Sequence, residues 1–443
     1  DEGEFTVQVG ARTQLHRHLF RYRIVAEDTT GNRVTVPYAD DPQKNFAWFC
    51  YGGMPGWSGA DHPELSAVKT FSPKLTRSMP AIHLLATEED VINCQYNWSH
   101  NEQFLPGTVV FNGTVYDHIR FRNRGETTTY LTGKNKWRIN FNRAHELDPA
   151  LDYAHGTIKP WRRLNLNPGT IPYNPAFRGT SALNERIGFR LHQLAGLPAC
   201  DTWYAQLRVI DAADEAGDDQ YSGDLWGLYL GFEAIDGRFL DNHGLPDGPV
   251  YKIAQSGILE RRADIDPAGR EDFDGFWRGM RMRQPESWWR THVDMERYFT
   301  YHAMSIAVAR YDQKLNHNYS LYRHPQRGWL PIPWDLDMCL WPARYDLSSF
   351  RWQTQLRYSV LTDASLNREY RNRARELLDL LFTKDQIEAL VDELAAPLRQ
   401  VDGGNFAELD QFLWNYHPRA VPGHRGSYFQ NPIRPRESAW PVK

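Results

Sequence analysis

Asp312, Asp335 and Asp337 fall with Asn316 and Asn318 inside one stretch, DQKLNHNYSLYRHPQRGWLPIPWDLD, spanning 312–337. Carboxylates and carboxamides are hard oxygen donors of the kind that hold Mg²⁺ against phosphates, while a separate carboxylate orients an attacking hydroxyl and takes its proton. That division of labour is phosphoryl-transfer chemistry, and it needs the acids to meet in space. NYSLYR and GWLPIP read as two strands joined by the turn HPQRG, a hairpin that carries Asp335 back towards Asp312. Asp335 and Asp337 then follow an apolar strand amid Trp334, Met338 and Trp341, where a carboxylate is costly unless paired or metal-bound. Taken singly, each Asp is an ordinary turn residue; the whole string points to a site.

A cationic partner stands earlier in the chain. In KNKWRINF, alternation puts Lys134, Lys136, Arg138 and Asn140 on one face of a strand and Trp137, Ile139 and Phe141 on the other. One face suits a core and the other suits the α- and β-phosphates of a nucleotide, with Lys136 and Arg138 foremost and Lys134 close behind. The bland alternative is a solvated face of an edge strand. The preceding RNRGETTTYLTG has Gly near both ends and several hydroxyls, so its backbone N–H groups can fold over phosphates, although it is neither GxGxxG nor Walker A.

Several elements must position these residues. Alternation in TVQV, FRYRIVAED and NRVTVPYA, with a turn at Gly31-Asn32, predicts β structure resembling the end of a sandwich module, and residues 40–76 read as a connector that packs. PAIHLLA is a strand and TEEDVINC a helix start. GTVVFNGTVYDHIRFRNRG holds two strands joined at Asn112-Gly113, a strong hairpin signal. SALNERIGFRLHQLAG is a helix with Ser181 as N-cap and Gly196 at its end, carrying Glu185 where it can pair with the strand's cation. YAQLRVIDA and LWGLYLGFEAI pair as strands, the second ending at Glu233. Beyond about residue 240 helices are expected to dominate, DMERYFTYHAMSIAVARYD most clearly, with TKDQIEALVDELAAPLRQV opening on a capping box from Thr383 to Gln386.

The motif string resembles the CotH-type atypical kinases, relatives of spore coat protein H. The matching residues are Asp312, Asn318-Tyr319, Leu321-Tyr322, Gly328-Trp329 and Pro333-Trp334-Asp335-Leu336-Asp337. Further upstream lie IRFRNRG (with an extra Asn-Arg before Gly125), KNKWRINF and GLYLGFEAID. The likeness runs from about residue 79 to 420. It implies Asp312 as catalytic acid/base, Asp335 and Asp337 as metal-binding, and Asn318 (or Asn316) as a further Mg²⁺ ligand. It also implies a nucleotide-binding set of Lys134, Lys136, Arg138, Arg122, Glu185 and Glu233, with Glu233 near the adenine–ribose hinge.

The fold so implied is α+β and two-lobed, protein-kinase-like, with a β-rich N-lobe and a helical C-lobe preceded by a short β segment. Its expected divisions are 1–70 for that segment, 71–236 and 237–400 for the lobes, and 401–443 for a wrapping tail. The expected activity is ATP- and Mg²⁺-dependent γ-phosphoryl transfer to a protein Ser or Thr. The alternatives are AMP transfer, glutamylation, or a catalytically silent surface or coat protein. An acid/base hydrolase built on Asp312 and Asp335 leaves the cationic strand unexplained. By analogy the setting is extracytoplasmic or cell-surface.

Bulk composition bounds these readings. A chain of 443 residues with 41% hydrophobic and 24% charged residues exceeds the size of one hydrophobic core and is not disordered. Its net charge of -4 gives no reason to expect nucleic acid as a partner, and no apolar run is long enough for a membrane span. DEGEFTVQ has neither an initiator Met nor a signal-like stretch, so a processed or excised chain is expected. Cys50, Cys94, Cys200 and Cys339 lack CxxC spacing and read as isolated thiols. The sequons at Asn97, Asn112 and Asn318 carry no weight.

Overall fold

The computed structural model describes residues 6–63, 65–96, 103–125, 134–149, 152–153, 156–169, 181–211, 214–254, 258–261, 269–310, 317–340, 360–415 and 417. Asp312, Asn316, Asn97, the greater part of the expected phosphate-covering loop (126–133) and the end of the chain from 418 lie outside them.

The N-terminal region forms three small antiparallel pairs. β1 (His18–Tyr22) pairs with β4 (Phe46–Cys50), β2 (Ile24–Glu27) with β3 (Arg33–Val36), and β5 (Trp57–Gly59) with β6 (Lys69–Phe71). The β2–β3 turn is held by Asp28, whose Oδ1 accepts from the backbone N–H groups of Thr30 and Asn32. TVQV is not a strand. The β1 arm is fastened to the next unit by Arg21, paired with the buried Asp117 at 2.7 Å.

After α1 (Pro73–Arg77) come β7 (Ala81–Leu85), α2 (Glu88–Tyr96), β8 (Leu105–Phe111), β9 (Thr114–Arg124) and β10 (Lys136–Asn140). The short pair β11 (Asp152–Tyr153) and β12 (Gly156–Thr157) precedes β13 (Arg163–Asn167), α3 (Leu183–Leu194), β14 (Thr202–Ile210) and β15 (Leu225–Glu233). Seven of these strands close into a barrel in the order β10-β13-β15-β14-β7-β8-β9, with β9 returning to pair with β10. Phe121, Trp137, Ile139, Leu164 and Leu166, each at most 1% exposed, fill the apolar side. Asn112 and Gly113 both have positive φ (48° and 79°), the turn that matches strand twist between β8 and β9.

The second half contains α4 (Gly237–Asn242), β16 (Val250–Ala254), β17 (Ile258–Arg261), α5 (Glu271–Met280), α6 (Glu286–His292) and α7 (Met295–Ala307). It continues with β18 (His317–His324), β19 (Gly328–Pro333), α8 (Ala364–Leu381), α9 (Lys384–Ala395) and α10 (Phe406–Trp414). Its strands form a second antiparallel sheet, β17-β16-β18-β19. Tyr251, Phe273, Phe276, Trp289 and Trp329 make one core with α5, α6 and α7, while α3, α8 and α9 share another with Leu330, Ile332 and Leu336.

These findings correct the expected two-lobed kinase-like architecture. The molecule is mixed α/β, built on a closed seven-stranded barrel, and its second half is not simply helical. The physical reason is that alternation is identical in an open sheet and in a closed barrel. Closure rests on the β9–β10 register and on the parallel pairing of β14 with β7, which no local pattern encodes. The predicted hairpins β8–β9 and β18–β19 and the strand at Lys136 are present. Ser181 does not cap α3: the N-cap position is Ala182, at φ 52°, without a side-chain cap. All four cysteines are free thiols. Among the described residues no helix is long and apolar enough to cross a membrane.

The barrel is tied to α10 by one buried ion pair. Lys134 Nζ donates to both carboxylate oxygens of Asp410 (2.8 and 2.7 Å) and to the carbonyls of Leu228 and Pro168. Asp410 Oδ1 also accepts from Leu228 N–H. A Cβ on Gly227, at φ 95°, would come within 2.1 Å of that oxygen, so glycine is required there. Burial pushes the Lys134 ammonium down and the Asp410 carboxyl up, and each ion opposes that for the other. Asp410→Ala should therefore lower unfolding free energy by about 3–5 kcal/mol, because it strands a buried ammonium. Urea denaturation checks this, and a loss within the range of an ordinary surface substitution would show the pair to be dispensable.

Candidate active site

Antiparallel register decides which cations share a face. Lys136 stands opposite Arg124 and Arg138 opposite Arg122 across β9–β10, while Trp137 and Ile139 face the core. The outer wall of the barrel at β9 and β10 is thus a two-column cationic ladder. Arg124 is held between two rings, its guanidinium carbon 5.0 Å from the centroids of both Phe232 and Trp334. Arg122 lies over Phe104 at 5.1 Å.

Acids arrive from two other elements. The β18–β19 hairpin, in register from Tyr319↔Pro333 to His324↔Gly328, delivers Trp334-Asp335-Leu336-Asp337 at its exit. Lys136 Nζ lies 3.1 Å from Asp337 Oδ2 and 3.9 Å from Asp335 Oδ1, and both carboxylates keep about a quarter of their surface open (25% and 26%). Glu185, in the first turn of α3, is fully buried and accepts from Asn167 Nδ2 through Oε2, while its buried Oε1 makes no hydrogen bond. Gly188 lets α3 come this close: a Cβ there would stand 2.8 Å from Cys339 Sγ and 3.2 Å from Leu336 Cδ1. Asn184 completes the join by donating to the carbonyls of Asp337 (2.6 Å) and Cys339 (3.2 Å).

A second cation organises the backbone behind the acids. Arg310, 2% exposed, donates to the carbonyls of Asn318 and Trp334 and, at 2.9 Å, to Tyr301 Oη. It bridges the start of one hairpin strand to the residue following the other. Asn318 and Asp335 adopt left-handed φ values of 64° and 59°, a region that Asn and Asp tolerate better than most residues.

Charge settles unequally over these groups. Burial disfavours ionised Asp335, but Lys136, Arg124, Arg310 and Lys252 outweigh it and hold its carboxyl below the ordinary value. Burial likewise works against the Lys136 ammonium, and Asp337 and Asp335 more than compensate, keeping it above its usual range. Glu185 goes the other way: burial, then Asp337 and Asp335, push it up to about 8 despite Lys136 and Arg124. At neutral pH Asp335 is ionised and Glu185 holds its proton. An ionised carboxylate, a quarter open, beside a second one makes an oxygen-rich pocket suited to a hard cation.

The structure therefore brings Lys136, Glu185, Asp335 and Asp337 together. Arg138 and Arg122 continue the same strand face, and Asn318 is joined to the Asp335 turn through Arg310. It does not bring in Lys134, which is committed to Asp410, or Glu233, which faces a different cluster. Asp312 lies outside the described residues. Arg124 and Arg310 went unselected in the sequence reading. Pairing Arg124 with Lys136 would have flagged the first, whereas Arg310, at the end of a helix, carries no local signal.

Glu185 makes the cluster pH-dependent. Its carboxyl, raised from an ordinary 4.5 to about 8, keeps in the folded chain a proton that the unfolded chain releases. Its contribution to stability falls as pH rises through that window. Glu185→Gln should gain on the wild type between pH 5 and 8 by up to about 1.4 kcal/mol per pH unit. Denaturant unfolding at stepped pH measures this; a stability difference independent of pH would refute the assignment.

Comparison with known proteins places these elements within a known family. The family described as CotH kinase protein matches residues 121–431, a span that includes the ladder, α3 and the hairpin. Inner spore coat protein H of Bacillus subtilis (strain 168) is 22% identical over 271 residues, covering 55% of this chain and 74% of that protein. The match extends over more than half of the sequence, and the chain belongs to the CotH kinase protein family.

Proposed function

We propose that this protein is an ATP- and Mg²⁺-dependent phosphotransferase that moves the γ-phosphoryl group onto a Ser or Thr hydroxyl of a protein substrate. The observation that carries this is the Lys136 ammonium seated between Asp337 and Asp335 with Glu185 beside them, at the end of a cationic strand face. Such a set answers the two needs of phosphoryl transfer, which are cations for phosphate oxygens and oxygen donors for a metal.

The residues fit the metal. Asp335 and Asp337 would hold Mg²⁺, with Asn318 as a further oxygen donor, and a cation there would favour release of the proton that Glu185 otherwise holds. When bound, Mg²⁺ neutralises charge on the β- and γ-phosphates. Lys136 and Arg124 bind phosphate oxygens, and Arg138 and Arg122 extend that contact along the strands. Arg310 orients the Asp335 turn by holding the carbonyls on either side of the hairpin. Asp312 accepts the hydroxyl proton as the new O–P bond forms and the bond to the leaving ADP breaks. The name of the Bacillus relative supports a coat or surface setting for this chemistry.

The test is incubation with γ-labelled ATP, Mg²⁺ and casein as a generic acceptor, read by intact mass and by phosphosite mapping. Label on Ser or Thr is expected. Lys136→Ala and Asp335→Asn should each lower kcat/KM by about 100-fold or more while leaving a cooperative unfolding transition. A mass increment matching AMP or glutamate instead of phosphate would overturn phosphoryl transfer. Turnover unchanged in both variants would overturn the site.

A further inference from the structure

Phe232 and Glu233, consecutive at the end of β15, face opposite ways. Phe232 packs on Trp334 and Arg124 beside the Lys136 cluster, whereas Glu233 joins Asp201 and His243 in a separate group beside a cleft of about 290 Å³. Asp201 and His243 line that cleft. They come from different elements: Asp201 immediately precedes β14, Glu233 ends β15, and His243 caps the C-terminus of α4. One ligand atom from each of the three lies within 4.8 Å of the others.

Hydrogen bonding accounts for only part of this group. Glu233 is satisfied: Oε1 accepts from Asp201 N–H (2.9 Å) and lies 2.7 Å from His243 Nε2, and Oε2 accepts from Asn242 Nδ2 (3.1 Å). Asp201 is not. It is 6% exposed, its Oδ1 accepts from Gln193 Nε2 at 2.8 Å, and among the described residues no hydrogen bond to its Oδ2 is seen. Burial and the neighbouring Glu233 push this carboxyl up to about 6. His243 and Arg190 only partly offset two carboxylates packed together, and the Asp201 oxygen at the wall of the cleft can take a further cation.

We propose that Asp201, Glu233 and His243 form a binding site for a divalent transition-metal ion of the Zn²⁺ class. The imidazole makes the difference from the oxygen-only cluster at Asp335, since nitrogen ligands favour zinc-like ions over magnesium. His243 Nε2 and Glu233 Oε1, now 2.7 Å apart in a hydrogen bond, would move to about 3.3 Å to share one tetrahedral metal. The ion replaces the proton they share, which leaves to solvent, so binding tightens as pH rises. Asp201 Oδ2 supplies the third ligand, and the cleft leaves room for water at the remaining position, the open arrangement of three protein ligands. The site stands whether or not the Asp335 cluster transfers phosphate.

The probe is Zn²⁺ alone, titrated calorimetrically into the full chain and into Asp335→Asn, which removes competition from the other acids. Both should bind one equivalent with release of a proton. His243→Gln and Asp201→Asn in the Asp335→Asn background should weaken that binding by about tenfold or more while keeping a cooperative unfolding transition. Crystals of the unsubstituted chain grown with Zn²⁺ should show an anomalous peak between Asp201 and His243, which settles the matter even if a variant fails to fold. No binding by the unsubstituted chain, equal affinity in all variants, or a peak only at Asp335 and Asp337 would overturn the site.

Discussion

One ammonium group decides how the two halves of this molecule meet. Lys136 leaves the barrel wall and ends among carboxylates delivered by the β18–β19 hairpin and by α3. A mostly buried lysine is costly alone, and so are the acids around it; each is tolerable because the other is present. Docking is therefore directional: the hairpin exit has to face the barrel at the height of Lys136. Gly188 and Asn184 make that fit close, the first by removing a side chain and the second by binding the carbonyls of the arriving turn.

Much of this could be read before any coordinates. Alternation in KWRIN separates a core face from a cationic face, and Asn112-Gly113 announces its hairpin. The apolar approach to WDLD exposes acids that need a partner. Failures came where the deciding contact is distant in sequence. Lys134 shares the parity of Lys136 and looked equivalent, but the strand begins at Lys136. Lys134 instead reaches Asp410, on a helix near the other end of the chain. The resemblance implies Arg122, but position within a motif says nothing of which arginine stands opposite Lys136, and that is Arg124. Barrel closure was missed for the same reason: alternation reports that a strand has an inside, not whether the sheet meets itself.

The strand β15 serves two clusters at once. Its last residues point alternately to the Arg124–Trp334 stack and to the Asp201–His243 group, and its pairing with β13 and β14 fixes both. Between them the strand offers little slack, since every residue from Leu225 to Glu233 is buried. A displacement at one end of this element is transmitted to both groups together.

The left-handed backbone at Asp335 bears on how the family diversifies. A β-carbon at that φ costs on the order of 1 kcal/mol or more that glycine would not incur. Where an acid is no longer wanted, selection for folding alone favours Gly or Asn at this position. On the role proposed for Asp335, lineages without that chemistry should diverge early here, while Leu336, locked in the core, persists.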